Sequence, residues 1–349
     1  MMEFHIGERR IGSGNPCFIL AEAGVNHNGD VDLALKLVDA AADAGADAVK
    51  FQTFKADRLV SPEAPKAAYQ VKATGGGESQ LEMLRGLELS QEAHWKILAH
   101  ARQRGILMLS TPFDAESADF LDRLGLAAFK IGSGEITNLP LLAHIAAKGK
   151  PLILSTGMAQ LAEVDEAVRT VREAGTHDLV LLHCVSNYPA EPRDVNLRAM
   201  RTMADAFGVP VGYSDHTVGN EVALAAVALG ACVIEKHFTL DRSLPGPDHK
   251  ASVEPAELAS LVRGIRVVEQ ALGHGRKEPT AAEADTARVA RKSLVMARDV
   301  QAGTVLTEDM VAIKRPGTGL PPAMLKDVVG RTLRQDVKAG TVIDLAMLA

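Results

Sequence analysis

The chain contains 349 residues, of which 47% are hydrophobic and 23% are charged, and it carries a formal net charge of -6. This composition is typical of a folded globular protein, and the acidic balance argues against a nucleic acid or a membrane surface as partner. Because no run of about 18 apolar residues occurs and the N-terminal MMEFHIGERR lacks an apolar core, we expect a cytoplasmic protein.

Short apolar runs rich in Val, Ile and Leu recur along the chain. Eight of them can be recognised, and they begin at Cys17, Asp47, Ile106, Ala127, Pro151, Asp178, Val209 and Cys232. Amphipathic stretches such as DVDLALKLVDAAADAG lie between them and end at a glycine, which is typical of parallel βα units. Eight units ending near residue 273 predict an α/β protein with a (β/α)8 or TIM barrel, whose usual size is about 250 residues.

Three further segments complete the organisation. Residues 54–89 form the longest excursion between two strands, and we expect an extended loop over the barrel mouth. A polar stretch after the last barrel helix indicates a linker, and the tail contains the repeat DVQAGTVL at 299–306 and DVKAGTVI at 336–343. We therefore expect a barrel over residues 1–275, a linker over 276–290 and a small, mostly β domain over 291–349.

The three cysteines all fall inside apolar runs. Cys17, Cys184 and Cys232 are expected to be buried free thiols, because their spacing fits neither a disulfide framework nor a zinc site.

Every predicted barrel strand turns polar at its C-terminal end. The residues concerned, in strand order, are Glu22 and Asn26; Lys50 and Gln52; Ser110 and Thr111; Lys130, Ser133 and Glu135; Ser155 and Thr156; Ser186 and Tyr188; Ser214 and His216; Glu235 and His237. In a barrel these ends meet at one mouth, where active sites lie. A solvated rim would explain one or two of them, so the pattern predicts a site.

Two histidines stand at the ends of neighbouring strands. His216 and His237 each lie two residues after a polar residue of the same face, so both imidazoles are expected to point inward and to bind one metal ion. The alternative is that each is a hydrogen-bonded rim residue. Two imidazoles completed by water or substrate oxygen suit a labile divalent ion, most simply Mn2+, with Mg2+ or Co2+ as alternatives.

Two lysines interrupt otherwise apolar strands. An anionic ligand would offset the cost of burying Lys50 and Lys130, although salt bridges to Glu22 or Glu135 would do the same. Hydroxyl donors accompany them at Ser133, Ser155, Ser186 and Ser214. Lys130 and Ser133 have opposite strand parity, so we expect a bulge at 132–134.

Many separate motifs of this chain occur in the order of one known family. They are AEAGVNHNGD, DAVKFQTFK, STPFD, FKIGSGEITNLPLL, LSTGM, LLHCVSNYPA, GYSDHT, EKHFTLDRSLPGPDHKAS and KRPGTGL. Together they resemble the sialic acid synthase family over almost the whole chain, and the tail resembles that family's antifreeze-like (SAF, β-clip) domain.

The resemblance implies a transferase that condenses phosphoenolpyruvate with an N-acylated hexosamine, typically N-acetylmannosamine, to give N-acetylneuraminate and phosphate. It implies that phosphoenolpyruvate is bound by Lys50, Thr111, Lys130, Ser133, Ser155, Ser186 and Ser214, and a metal by His216 and His237. It implies that the sugar is bound by Glu22, Gln52, Tyr188, Asp248 and, from the other subunit of a domain-swapped homodimer, Arg315. The reaction also needs a base for the attacking water, for which Glu135 is the first candidate and Glu22 the second.

Other functions stay open at this point. A synthase of a related sugar acid, legionaminic or pseudaminic acid, would use the same chemistry on a different hexosamine. A metal-dependent isomerase or aldolase would release no phosphate from phosphoenolpyruvate. An ice- or carbohydrate-binding protein would act through the isolated tail.

Overall fold

The computed structural model describes residues 3–75 and 77–349, without the side chain of Lys72. The strands are β1 (Phe4–Ile6), β2 (Arg9–Ile11), β3 (Phe18–Gly24), β4 (Ala48–Thr53), β5 (Leu107–Pro112), β6 (Phe129–Ile131), β7 (Leu152–Ser155), β8 (Leu179–Cys184), β9 (Val211–Asp215), β10 (Val233–His237), β11 (Ser293–Met296) and β12 (Val311–Lys314). The α-helices are α1 (Val31–Ala44), α2 (Ala56–Leu59), α3 (Ala68–Thr74), α4 (Gln80–Arg85), α5 (Gln91–Gln103), α6 (Ala115–Leu124), α7 (Leu139–Ala146), α8 (Leu161–Glu173), α9 (Ala199–Phe207), α10 (Glu221–Ala228), α11 (Pro255–Leu272), α12 (Ala284–Ala290) and α13 (Leu325–Val328). Short 3-10 helices cover Ser133–Glu135, Pro192–Asp194, His249–Ala251, Ala281–Glu283, Glu308–Met310, Pro322–Met324 and Leu345–Met347.

Strands β3 to β10 form one parallel sheet. Hydrogen-bonded neighbours follow the order β5-β4-β3-β10-β9-β8-β7-β6, so the first and last βα units meet through β3 and β10. That order of eight parallel strands, with a helix after each strand, confirms the predicted (β/α)8 class. The chain divides into two compact units after Gly273, and the second unit is His274–Ala349.

Capping residues in the sequence set where the helices begin and end, as α1 illustrates. Asp30 caps α1, because its side chain accepts hydrogen bonds from the backbone N–H groups of Asp32 and Leu33. Gly45 ends the helix with a left-handed φ of 83°, which glycine adopts without steric cost. The buried face of α1 includes Leu37 and packs in the layer between barrel and helices.

Alternation along the strands separates a dry floor from a polar mouth inside the barrel. Phe18 and Leu20 of β3 belong to an apolar cluster that fills the lower barrel, and the β1–β2 hairpin adds Phe4 and Ile6 to the same cluster. Glu22 is the next residue of β3 on that face, and it is buried. The inward face of the strands is therefore apolar in the floor and becomes polar toward the mouth.

The excursion between β4 and α5 is helical where an extended loop was predicted. Its helices α2, α3 and α4 occupy most of residues 56–85. The sequence contained a signal for α4, because Ser79 and Glu82 form a capping box. The loop prediction for this segment was wrong, and residue 76 within it lies outside the described residues.

The second unit is built from the two repeat halves. Strands β11 and β12 pair antiparallel, and bridges such as Val300 with Val337 join one repeat to the other. The aspartate of each repeat accepts a backbone hydrogen bond from the turn of the other, Asp336 from Ala302 and Asp299 from Ala339, both at 2.8 Å. The repeat is therefore a structural pseudo-symmetry.

The helices of the described part of the chain are either too short or too polar to cross a membrane. The cysteines Cys17, Cys184 and Cys232 are free and buried.

Gly212 of β9 lies where the barrel interior has no room for a side chain. A Cβ built there would lie 2.4 Å from the carbonyl oxygen of Val233 and 2.7 Å from Cδ2 of Leu182. We expect Gly212→Ala to lower the free energy of unfolding by about 2 kcal/mol, because the strands must separate to admit the methyl group. Urea unfolding measures this, with Gly134→Ala as the control, since space around Gly134 is open. Equal stability of the two variants would contradict the packing described.

Candidate active site

One cavity of about 440 Å3 opens at the C-terminal ends of the barrel strands. The structure brings thirteen of the predicted site residues to its lining: Glu22, Lys50, Gln52, Thr111, Lys130, Ser133, Ser155, Ser186, Tyr188, Ser214, His216, His237 and Asp248. They come from all eight barrel strands or the loops just after them, and Asp248 comes from the long loop after β10. The strand-end pattern thus corresponds to a shared concave site.

Glu135 is not among the residues that line this cavity. Strand β6 ends at Ile131, and a 3-10 helix over Ser133–Glu135 replaces the predicted bulge, which was wrong. That turn brings Ser133 to the cavity, whereas the Glu135 carboxylate accepts a hydrogen bond from Asn138 at 2.7 Å. The geometry therefore does not support Glu135 as the base, while Glu22 does lie in the cavity.

Arg315 belongs to the second unit. It follows β12 directly and is exposed. Its predicted role at the sugar stays a prediction.

Two lysines and two glutamates form a buried cluster in the cavity, which we call the charge quartet: Lys50, Lys130, Glu22 and Glu235. Nζ of Lys50 lies 2.7 Å from Oε2 of Glu22 and 3.8 Å from Oε2 of Glu235. Nζ of Lys130 lies 3.5 Å from Oε1 of Glu235. All four side chains are at most 5% exposed, so their charges are held in a medium that screens them weakly.

The two glutamates of the charge quartet differ in basicity. Burial favours the neutral form of Glu235, but the attraction of Lys130 and Lys50 outweighs burial and lowers its pKa to about 2. Burial raises the pKa of Glu22, and the attraction of Lys50 only partly offsets this rise. Glu22 is therefore the carboxylate better suited to take up a proton.

The two lysines also differ. Burial acts to lower the pKa of Lys50, but Glu22 and Glu235 raise it overall, so Lys50 is a stable cation. Burial lowers the pKa of Lys130, with Glu235 opposing. A second anion near Lys130 would raise its pKa again. Lys130 is therefore the member of the charge quartet whose charged form an anionic ligand would stabilise most.

Sequence reasoning placed Glu235 at a strand end but gave it no role. The available signal was parity, because Glu235 shares a strand face with His237 and therefore points into the cavity. Ser214 donates a hydrogen bond to Oε1 of Glu235 at 2.8 Å. Oε2 of Glu235 makes no hydrogen bond to the described residues.

A cluster of hydroxyl groups lies beside the charge quartet. The backbone N–H of Gly157 donates to Oγ of Ser133 at 3.0 Å. A Cβ at Gly157 would lie 2.3 Å from Oγ of Ser186 and 2.8 Å from Oγ of Ser133, so only glycine leaves the space between them free. Within the described chain, Oγ of Ser155 has no hydrogen-bond partner. Such a set of small donors around an open space suits a phosphate group, and Gly157 is a part that sequence reasoning missed.

The two imidazoles meet above these groups. The ring centroids of His216 and His237 are 5.4 Å apart. Nδ1 of His216 lies 2.7 Å from the carbonyl oxygen of Val185, so Nδ1 carries the hydrogen and Nε2 keeps its lone pair. Nδ1 of His237 is buried and makes no hydrogen bond in the part of the chain that the structure describes.

Both imidazoles are held neutral. Burial, and then the proximity of His237, lower the pKa of His216 to about 4. Burial, and then Lys50, lower the pKa of His237 to about 3. Neutral imidazole is the form that binds metal ions. Residues 3–75 and 77–349 contain no group of three or more His, Cys, Asp or Glu side chains arranged for a metal.

An aromatic stack covers one side of the imidazoles. The ring of Tyr188 lies 4.2 Å from His216 and 5.6 Å from His237, measured between centroids. Tyr69 of α3 lies 5.0 Å from Tyr188. Tyr69 was not predicted, because nothing in the local sequence shows that the excursion folds back onto the loop after β8.

Asp248 is presented by the loop after β10. Its Oδ2 lies 3.9 Å from Nδ1 of His237, and burial, with the charge of Glu22, raises its pKa to about 7. Ser252 donates to the backbone carbonyl of Asp248 at 2.8 Å, and Asn26 donates to Ser252 at 3.0 Å. The loop after β3 thus fixes the loop that carries Asp248.

Comparison with known proteins agrees with this geometry. The model of the NeuB family matches residues 37–277, and that of the SAF domain matches residues 291–349. The chain belongs to the NeuB family. It is 51% identical over 336 residues to an N,N'-diacetyllegionaminic acid synthase of Legionella pneumophila, which covers 95% of this chain and 94% of the relative.

A second relative and a solved structure also match most of the chain. An N,N'-diacetyllegionaminic acid synthase of Campylobacter jejuni is 50% identical over 327 residues, covering 93% of this NeuB family chain and 98% of the relative. The crystal structure of an N-acetylneuraminic acid (sialic acid) synthetase from Leptospira borgpetersenii, in complex with citrate, superposes with a TM-score of 0.74 at 38% identity. That match covers 82% of this chain and 95% of the other.

A buried histidine below the Asp248 loop should give the protein an acid-sensitive step. His27 accepts a hydrogen bond from the backbone N–H of Gly29 at Nδ1, and burial lowers its pKa from 6.5 to about 4. The unfolded chain binds this proton near pH 6.5 and the folded chain only near pH 4, so stability is lost as pH falls through that range. From pH 8 to pH 5 the loss should be about 2 kcal/mol.

We expect His27→Gln to remove that part of the pH dependence. Urea unfolding at pH 8 and pH 5 measures it, with the exposed His177→Gln as a matched control. A His27→Gln variant that loses as much stability on acidification as the wild type would contradict the assignment.

Proposed function

We propose that the protein condenses phosphoenolpyruvate with an open-chain N-acylated hexosamine and water, giving a nonulosonic acid and inorganic phosphate. The observation that carries this proposal is the cavity that gathers two lysines, a cluster of hydroxyls, two neutral imidazoles and three carboxyl groups. We further propose that the product is N,N'-diacetyllegionaminic acid, because the relatives at 51% and 50% identity are synthases of that compound. This favours the alternative raised by the sequence over N-acetylneuraminate.

The phosphoenolpyruvate end is assigned to Lys130, Lys50 and the hydroxyl cluster. The ligand's phosphate and carboxylate charges would offset the buried ammonium groups, and Ser133, whose Oγ is held by the N–H of Gly157, would donate to phosphate oxygens together with Ser186. Because Glu22 and Glu235 already balance the lysines, the added anion favours full protonation of Lys130. The charge quartet would thus bind the anion without a net positive patch on the surface.

Two imidazoles are assigned to a divalent cation, with Mn2+ preferred and Mg2+ or Co2+ as alternatives. His216 and His237 would hold it, and the carbonyl oxygen of Val185 would orient His216 as an outer partner. When bound, such an ion supplies Lewis-acid polarisation of the sugar aldehyde.

The reaction then requires side chains that accept and donate protons. C3 of phosphoenolpyruvate forms a bond to the aldehyde carbon, whose oxygen takes up a proton, and positive charge develops at C2. Water adds at C2 and the C2–O bond to phosphate breaks, with the second proton of that water passing to the departing phosphate so that a keto group remains; the first proton of the water needs a base. We assign that proton to Glu22, because its pKa is raised by burial, whereas Glu235 at about 2 is too weak a base.

The sugar end is assigned to Gln52, Tyr188 and Asp248, all of which line the cavity. The excursion contributes Tyr69 and several apolar side chains to the same wall. The homodimer in which Arg315 of one subunit reaches the sugar of the other stays a prediction.

A phosphate-release assay with a set of hexosamines tests the proposal. Three product carbons come from phosphoenolpyruvate, so an N,N'-diacetyl product requires a hexosamine that already carries two acetamido groups. With Mn2+ present, we expect that sugar to give a kcat/KM at least about 10-fold above N-acetylmannosamine, a difference of about 1.4 kcal/mol in transition-state binding. A Lys130→Met variant, which keeps the length of the side chain and removes its charge, should show a raised KM for phosphoenolpyruvate.

The outcomes separate the alternatives. Preference for N-acetylmannosamine would restore N-acetylneuraminate as the product and overturn the legionaminic assignment. Product formation without phosphate release would indicate an aldolase or isomerase and overturn the reaction class.

A further inference from the structure

A buried ion pair lies behind the two histidines, on the opposite face of their strands. Nζ of Lys236 donates to Oδ2 of Asp215 at 2.6 Å, and both side chains are at most 2% exposed. Strand parity directs them toward the helix layer, whereas His216 and His237 line the cavity. Neither residue of the pair is among those that line the cavity, and neither has a role in the proposed reaction.

The pair belongs to a closed hydrogen-bond network. Nζ of Lys236 also donates to the carbonyl oxygen of Thr217 at 2.7 Å. Oδ1 of Asp215 accepts from the backbone N–H of Thr217 at 2.9 Å and from its hydroxyl at 2.8 Å. Both chain neighbours of His216 are thereby attached to Lys236, which directly precedes His237.

The position of this network in the sheet gives it its significance. The ladder between β9 and β10 ends at the pair Asp215–Lys236, one residue before the two histidines. Beyond that point, His237 pairs with Glu22 of β3, and its carbonyl oxygen accepts a hydrogen bond from the N–H of Val253, which lies just before α11. Past the end of the ladder, hydrogen bonds among Asp215, Lys236 and Thr217 connect β9 to β10.

Stability alone does not explain a buried ion pair at this place. A buried pair is often no more stabilising than apolar residues of the same volume, because both charges lose their water. One step lower on the same outward face, the strands carry the buried residues Tyr213 and Ile234. Directional bonds from a charged pair fix a distance between strands better than apolar contacts do.

We propose that Asp215, Lys236 and Thr217 form a clamp that sets the separation of His216 and His237. The three are positioning residues, and they act through the backbone at the strand ends. The proposal concerns the distance between the two imidazole rings. Only the measurement of Mn2+ affinity rests on the proposed function.

The test compares Lys236→Met and the milder Asp215→Asn with a matched control. Asp47→Asn is that control, because Asp47 is also a buried carboxylate with arginine partners, Arg9 at 3.0 Å and Arg266 at 3.2 Å, and it lies before β4, at the floor end of the barrel. All three variants should be less stable than the wild type in thermal unfolding.

Only the clamp variants should affect the imidazoles. In crystals of Lys236→Met or Asp215→Asn, the ring-centroid separation of 5.4 Å should change by about 1 Å, a displacement large enough to disturb a site. Titration of the substrate-free proteins with Mn2+ should show affinity reduced about 10- to 100-fold in the clamp variants and unchanged in Asp47→Asn.

An unchanged ring separation in both clamp variants would overturn the clamp, whatever their stability. If the wild type binds no Mn2+, the metal assignment fails and the ring separation alone decides the clamp. If Lys236→Met does not fold, Asp215→Asn supplies the same comparison, since it keeps the shape and the Oδ1 acceptor.

Discussion

Burial of charge inside the barrel mouth is the constraint on which the rest of the structure depends. Lys50 and Lys130 stand in a medium that would expel a lone ammonium, and Glu22 and Glu235 hold them there. The charge quartet is balanced, so the protein can be acidic overall and still present two buried cations to an anion. An anionic ligand is attracted by local geometry, since the net charge of -6 opposes it at long range.

The floor of the barrel makes that arrangement stable. Apolar residues fill the lower half, the N-terminal hairpin covers its end, and Gly212 lets β9 approach its neighbours closely. The polar mouth is thus fixed to a rigid support, and the imidazoles are held neutral by the same low-dielectric surroundings that strengthen the charge quartet. Rigid support of this kind is what a site for positioned substrates requires.

Much of this arrangement could be predicted from the sequence, because it follows from two short-range rules. The βα alternation gave the barrel, and strand parity together with the change from apolar to polar residues gave most of the cavity lining. Predictions failed where the backbone leaves regular structure. Glu135 was misplaced because a 3-10 turn replaces a bulge after β6, and no strand rule covers such a turn.

Other parts depend on tertiary contacts that a single sequence does not encode locally. Tyr69 reaches Tyr188 only because the excursion folds back, and the importance of Gly157 appears only when Ser186 of the loop after β8 lies beside it. Glu235 is a different case, because its parity was visible. Its role was missed because its basicity is set by two lysines from distant strands.

A crystal structure with Mn2+ and phosphoenolpyruvate bound tests the central claim most directly. We expect an anomalous manganese peak between His216 and His237, with the phosphate of the ligand between Lys130 and the hydroxyl cluster. A peak remote from the imidazoles, or a phosphate bound outside the charge quartet, would contradict it.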